Sequence, residues 1–162
     1  MFKISRMRKS HIPAVAKMMG ECYEKNYFED DIFVEKSIKS YPKGCLVLIA
    51  NREIAGYIFF HPFMNNKIKK LNTPYKKSAA HNCMYIHDLA IRKKYRRKGL
   101  SNLLLKKVNH ASKNMNLDMQ ALVAVQHTEK FWEKHGFIAA KKIDYYGKKA
   151  SCMKKSIDSL IN

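Results

Sequence analysis

Two neighbouring stretches carry the residue types best suited to chemistry. Met84-Tyr-Ile-His-Asp-Leu-Ala-Ile91 is an apolar run that holds a histidine and an aspartate, and Arg96-Arg-Lys-Gly-Leu-Ser101 is a basic glycine turn that opens onto an apolar helix. Strand, glycine turn and helix in that order gather backbone N–H groups at a helix N-terminus, an arrangement that binds phosphate. Arg96, Arg97 and Lys98 stand at the mouth of the turn, and Gly99 lets the backbone turn with its N–H groups inward. The helix end alone contributes only ~0.3–1 kcal/mol when exposed, so a polyanion would be held by several N–H groups and basic side chains together. His87 lies on the strand beside this spot, and histidine takes up and releases a proton near neutral pH. Alternation along a strand puts Asp88 on the face opposite His87, towards a covering helix, which makes Asp88 structural first and the second choice for chemistry.

The elements that must position these residues follow from apolar spacing and turn signals. Phe2 to Met7 reads as a strand, and a helix follows with Ser10 as N-cap and Pro13 in its first turn. A second helix spans about Asp31 to Tyr41. Cys45 to Ala50 and Ile54 to Phe60 form a hairpin, Cys83 to Ile91 is the next strand, and Gly99 to about Asn114 is a helix. Met119 to Val125 reads as a buried strand of the kind parallel sheets use. Thr128 to His135 is a short helix capped by Gly136, and Phe137 to Ile143 and Ala150 to Ile157 are the last strands. The order is β-α-α-β-β-β-α-β-α-β-β: an α/β fold with a mixed, mostly antiparallel central sheet flanked by helices, in a single domain over residues 1–162. Residues 61 to 82 form the least regular part, and a connection of that length in a compact domain is more often functional or mobile than neutral.

Composition narrows the classes. A chain of 162 residues with 46% hydrophobic residues can bury a full core, and no apolar run approaches the length of a bilayer span. The N-terminal residues lack the apolar core of a signal peptide. Cys22, Cys45, Cys83 and Cys152 show neither metal spacing nor disulfide density, so a reducing cytoplasm and no metal are expected. The formal charge is +19, but its 32 basic residues are spread along the chain, so no dedicated nucleic-acid site and no membrane contact are expected. Six of the 13 acidic residues lie between Glu21 and Glu35, a negative island in a positive protein.

Three segments, with the element order, resemble the GNAT family of acetyltransferases over nearly the whole chain. Arg96-x-x-Gly99-x-Ser101 resembles the family's Arg/Gln-x-x-Gly-x-Gly/Ala loop, which holds the pyrophosphate of acetyl-CoA. Tyr85 to Ile91 resembles the preceding strand, whose backbone pairs with the pantetheine arm. Phe131-Trp-Glu-Lys-His-Gly-Phe137 resembles the Phe-Tyr-Glu-Lys-x-Gly-Phe signature near the family's C-terminal end. The resemblance implies acetyl-CoA as cosubstrate, bound by Leu89, Ala90 and Ile91, by Arg96 through Ser101 with Leu100 among them, and by Gln126, Phe131 and Trp132. It also implies oxyanion donors among the backbone N–H groups near Leu89. In the family the position of His87 often holds a glutamate, or a histidine in the serotonin N-acetyltransferase branch. Two residues depart from the pattern. Ser101 replaces a glycine or alanine and is small enough for close backbone approach. Trp132 replaces the tyrosine commonly credited with reprotonating the CoA thiolate, a role left open here between Tyr145, Tyr146, Tyr85 and water.

Acetyl transfer to an amine needs a base, because an amine is protonated at neutral pH, and stabilisation of the thioester oxygen as charge develops. His87, directly or through water, is the expected base. The family's first two helices and the connection before the fourth strand line the acceptor site, so Glu21, Glu24 and Glu29 are expected to attract a small or peptidic amine. Otherwise these acids belong to solvated helix faces, with Glu21 and Lys25 as an i,i+4 pair. The rival functions are a protein N-terminal or lysine acetyltransferase, favoured by an open acceptor groove, and a non-catalytic basic module binding nucleic acid or anions. The protein is expected to be a monomer or a homodimer.

Overall fold

The structure, a computed structural model, describes residues 1–77 and 80–157. Seven strands and four α-helices follow one another as β1 (Phe2–Arg6), α1 (Ile12–Cys22), α2 (Asp31–Ser40), β2 (Cys45–Ala50), β3 (Glu53–Phe63), β4 (Cys83–Ile91), α3 (Leu100–Asn114), β5 (Met119–Ala124), α4 (Glu129–Lys134), β6 (Ile138–Tyr145) and β7 (Lys148–Ser156). The element order read from the sequence is the observed one. The differences lie at the ends. Residues Lys9–His11 form a 3-10 turn, so α1 starts at Ile12 with His11, not Ser10, at its N-cap. Strand β3 runs on to Phe63, which shortens the irregular connection to residues 64–82.

The sheet has the order β1-β2-β3-β4-β5-β7-β6, antiparallel except where β4 meets β5. One face packs against α3, with Leu48, Ile58, Met84, Ile86, Leu104 and Val108 in its core, and the other packs against α1 and α2 through Val15, Met18, Val34, Val47, Tyr57 and Phe59.

Two irregularities in β4 build the site. The parallel ladder to β5 holds only at Met84↔Gln120 and Tyr85↔Ala121, so from Ile86 onward β4 has parted from β5 and a cleft opens between them. Against β3, the register steps from Phe59↔Asp88 to Phe60↔Ile86, leaving His87 as the extra residue of a β-bulge. The core confirms which strand carries it: Met84 and Ile86 face α3, and so do Leu89 and Ile91, although they are odd-numbered. A bulge of this kind bends the strand and raises its twist, which suits a strand diverging from its neighbour.

Candidate active site

The cleft has a volume of about 830 Å³ and is walled by the C-terminal half of β4, the start of α3, β5 with the turn after it, α4, and the segment joining α1 to α2. At one end lies the glycine turn. Gly99 caps α3 in the left-handed conformation at φ 69°, and Arg97 is left-handed too at φ 63°. The first N–H groups of an α-helix have no partner within the helix, and here Gly99, Leu100, Ser101 and Asn102 all line the cleft. Arg97 lines it as expected. Arg96 does so as well, although its Nε donates to the Ile91 carbonyl at 2.8 Å and so ties the turn to the end of β4. Lys98 departs from expectation: its ammonium lies over the Tyr95 ring, 5.7 Å from the centroid, and it is not among the cleft residues.

Along the middle of the cleft, Leu89, Ala90 and Ile91 present the β4 edge that β5 has left. The Tyr23 hydroxyl donates to the Leu89 carbonyl at 3.1 Å. Phe131 and Trp132 form the opposite wall, edge to face at 4.9 Å, with Trp132 also in the core. Gln126 lines the cleft with both ends of its amide engaged. It accepts from Glu24 N at 2.8 Å and donates to the Cys22 carbonyl at 3.1 Å, so it straps β5 to the segment after α1.

The other end holds the titratable groups. The bulge turns His87 and Asp88 to the same face of the sheet, which corrects the opposite-face expectation from simple alternation. His87 packs on Phe33 of α2 at 5.1 Å, while Asp88 accepts from the Tyr57 hydroxyl at 2.8 Å, and both partners belong to the core under α1 and α2. His87 Nε2 meets Glu29 Oε1 at 2.6 Å, with the two side chains 2% and 4% exposed. Glu29 Oε2 accepts from Asn72 N at 2.7 Å. Glu29, expected to attract the acceptor, lines the cleft and is also the partner of His87. Glu21 and Glu24 do not join it. Glu21 pairs with Arg92 at 3.5 Å, and Glu24 with Lys148 at 2.7 Å. The alternative Glu21–Lys25 helical pair does not form either, because α1 ends at Cys22.

His87 Nδ1 and His61 Nε2 are buried and have no hydrogen-bond partner among the described residues, and both residues line a cavity of about 20 Å³ under α2. The His61 Nδ1 atom bonds to the Pro62 carbonyl at 2.7 Å, which leaves Nε2 as an acceptor, and burial pushes His61 down to about 3. The cavity is wide enough for one water, whose two protons match two accepting nitrogens. Asp88 is raised to about 6, chiefly by burial. Lys69, 5% exposed, is pushed down to about 8 by burial, with Glu29 opposing the shift. The Tyr145 hydroxyl donates to the Lys69 carbonyl at 2.6 Å, and burial raises its pKa further. Tyr146 uses its hydroxyl to accept from Leu71 N at 2.9 Å. Sequence reasoning missed Cys22, Tyr23, Tyr27, Leu71 and Asn102 as cleft residues. Among the described residues no group of three or more His, Cys, Asp or Glu is arranged to hold a metal ion, and no helix is long and apolar enough to cross a membrane.

Comparison with known proteins gives a family match, to the acetyltransferase (GNAT) family model over residues 12–137. No curated protein sequence matches. Among solved structures the chain is similar to Ard1 from Thermoplasma volcanium, with 14% identity over 96% of this chain and 97% of that one and a TM-score of 0.78. It is similar to the loading GNATL domain of CurA from Lyngbya majuscula, with 12% identity over 98% and 99% and a TM-score of 0.82. It is also similar to Arabidopsis thaliana Naa50 in complex with the bisubstrate analogue CoA-Ac-MVNAL, with 18% identity over 96% and 98% and a TM-score of 0.74. At these identities the likeness is one of fold.

Proposed function

The chain belongs to the GNAT acetyltransferase family and is an acyl-CoA-dependent acyltransferase, and we propose on that premise that it moves the acetyl group of acetyl-CoA to a primary amine by direct attack. The glycine turn receives the pyrophosphate, with the N-terminal N–H groups of α3 and the Arg97 side chain as its donors. The open edge of β4 from Leu89 to Ile91 receives the pantetheine arm, and Phe131 and Trp132 pack on its other side. Backbone N–H groups near Leu89 stabilise the thioester oxygen as negative charge builds on it.

The Glu29–His87 hydrogen bond at the far end of the same cleft is the observation that carries this reading. Nε2 of His87 is engaged by the carboxylate and Nδ1 is buried, so the imidazole does not meet the amine directly. The amine gives its proton to the Glu29 carboxylate, directly or through a cleft water, and His87 donates to that carboxylate and holds it in place. Histidine and glutamate thus act as one base. The neutral amine then attacks the thioester carbon, the tetrahedral intermediate collapses with cleavage of the C–S bond and loss of the thiolate, and the proton still carried by the amide nitrogen passes through water to the thiolate.

Release of CoA thiol in the presence of amines tests the proposal. Glu29→Gln and His87→Ala are each expected to lower kcat by about 10²–10⁴-fold while acetyl-CoA binds as before. Full kcat in both variants across the pH range would overturn the base, and failure of the protein to bind acetyl-CoA would overturn the transferase reading. Salt-dependent RNA binding without thiol release would favour a non-catalytic basic module. A peptide N-terminus is the second acceptor to consider, because the similar Naa50 structure holds a CoA–peptide analogue.

A further inference from the structure

His87 borders two spaces, the cleft on one side and the small cavity under α2 on the other. The second histidine of that cavity, His61, stands on β3 opposite Tyr85 of β4, is 6% exposed and does not line the cleft.

We propose that His61 is a positioning residue for the base: through one buried water it holds His87 in the tautomer whose Nε2–H faces Glu29. This rests on reading Glu29 and His87 as the base of acetyl transfer.

His61 can only accept at Nε2. Its Nδ1 lies 2.7 Å from the Pro62 carbonyl oxygen, which has no proton to give, so Nδ1 carries the ring proton. Burial and the Lys69 ammonium keep the ring from taking a second one. The His61 and His87 ring centroids are 6.4 Å apart, too far for their nitrogens to bond directly and close enough for one bridging molecule. His61 Nε2 and His87 Nδ1 are the cavity-lining side-chain atoms left buried without a partner among the described residues. Tyr41, Ser40, Cys45 and Thr73, also around the cavity, give their protons elsewhere: to Met115 Sδ and to the Ser37, Tyr41 and Lys70 carbonyls. A water there gives one proton to each nitrogen only while His87 Nδ1 is bare. A proton on Nδ1 would turn one of the water's own away from that acceptor, and an unmet buried donor is costly.

The tautomer decides what Glu29 can do. With Nδ1 bare, the ring proton is on Nε2 and is donated to Glu29 Oε1 at 2.6 Å. Its matching partner is the ionised carboxylate, which can take the amine's proton, and Asn72 N suits the same form at the other oxygen. With the proton on Nδ1, a bare Nε2 would face Glu29. The glutamate could then bond it only as a protonated carboxyl, already spent as a base.

The first test needs only the unaltered protein: nitrogen-15 spectra of its seven histidine side chains at neutral pH, assigned residue by residue. His61 is expected to be protonated at Nδ1 and bare at Nε2, and His87 protonated at Nε2 and bare at Nδ1. A proton on His87 Nδ1 or on His61 Nε2 would overturn the proposal.

The second test separates hydrogen bonding from packing. The His61 ring packs against Phe63, Tyr75 and Tyr85, with centroids 5.6, 5.6 and 5.7 Å away. His61→Phe keeps a ring there and removes the acceptor, whereas His61→Gln loses the ring and keeps an accepting oxygen near the place of Nε2. The assay is CoA-thiol release with the best acceptor among phenethylamine, spermidine and the pentapeptide Met-Val-Asn-Ala-Leu. His61→Phe is expected to lower kcat about tenfold, the worth of one hydrogen bond. His61→Gln is expected to stay within about threefold of the unaltered protein, and the Kd of acetyl-CoA to be unchanged in both. Full kcat in His61→Phe, or a higher kcat in it than in His61→Gln, would show that the ring only packs and would overturn the proposal. Full kcat in His87→Ala would instead overturn the base beneath it, and failure to bind acetyl-CoA, or turnover of none of the three amines, the transferase reading.

Discussion

One extra residue in β4 decides which groups meet. Without the bulge at His87, Asp88 would point into the core beside α3; with it, Asp88 is buried next to the Glu29–His87 pair, accepting from the Tyr57 hydroxyl at 2.8 Å with the Tyr23 hydroxyl beside it. Burial raises its pKa from the ordinary value of 3.8 to about 6. A carboxyl that is harder to ionise when folded favours the fold below the lower value, and that contribution is lost as pH rises through the upper one. Full ionisation of Asp88 therefore costs the fold about 3 kcal/mol between pH 4 and 7. Asp88→Asn keeps an acceptor for Tyr57 and removes the charge. Urea unfolding at a series of pH values should show the variant gaining on the wild-type protein through this window and running parallel to it above. Parallel curves throughout would mean that Asp88 is not buried as described.

At the scale of elements, much of the frame is legible in the sequence. Strands β2 and β4 have the bounds that their apolar runs suggest, and α3 ends at Asn114 as its period indicates. The start of α1 is not legible, because Ser10, suited to cap a regular helix, lies inside the 3-10 turn Lys9–His11. The bulge is not legible either: it arises from pairing with β3, and no glycine marks it. Glu29 stood out as part of an acidic run, but its partner lies 58 positions away, and nothing local links the two. The glycine turn is the part of the candidate site that local sequence determines most directly, because Gly99 is left-handed where α3 starts. Added to Gly99, a Cβ would meet nothing nearer than Asn102 Nδ2 at 4.0 Å, so the strain of Gly99→Ala is confined to φ. The expected loss of stability is about 1–2 kcal/mol. Acetyl-CoA binding should weaken as well, because the cradle loses its preset shape. An unchanged Kd in a titration of the variant would show that the turn does not carry the pyrophosphate.

For the whole molecule, the question is what the charge of +19 contributes to binding a polyanion. A general positive field and a local cradle respond differently to salt. The Debye length falls from ~30 Å at 0.01 M to ~10 Å at 0.1 M and ~3 Å at 1 M. Lysines distributed over the surface, such as Lys106 and Lys107 on α3 or Lys141 and Lys142 on β6, therefore act on a ligand in the cleft only at low salt. If the glycine turn holds the ligand as proposed, the helix N–H groups and the Arg97 guanidinium act at contact distance, where screening by salt is weakest. The local cradle should hold most of the affinity, with the field mainly speeding association. Acetyl-CoA affinity is accordingly expected to fall by about tenfold between ~0.01 M and ~0.1 M salt and then level off as remote charges drop out. Arg97→Gln should lower the plateau, whereas Lys106→Gln should lower only the low-salt limb. A steady fall with no plateau would instead assign the binding to the field, and the glycine turn would then be no more than the cap of α3.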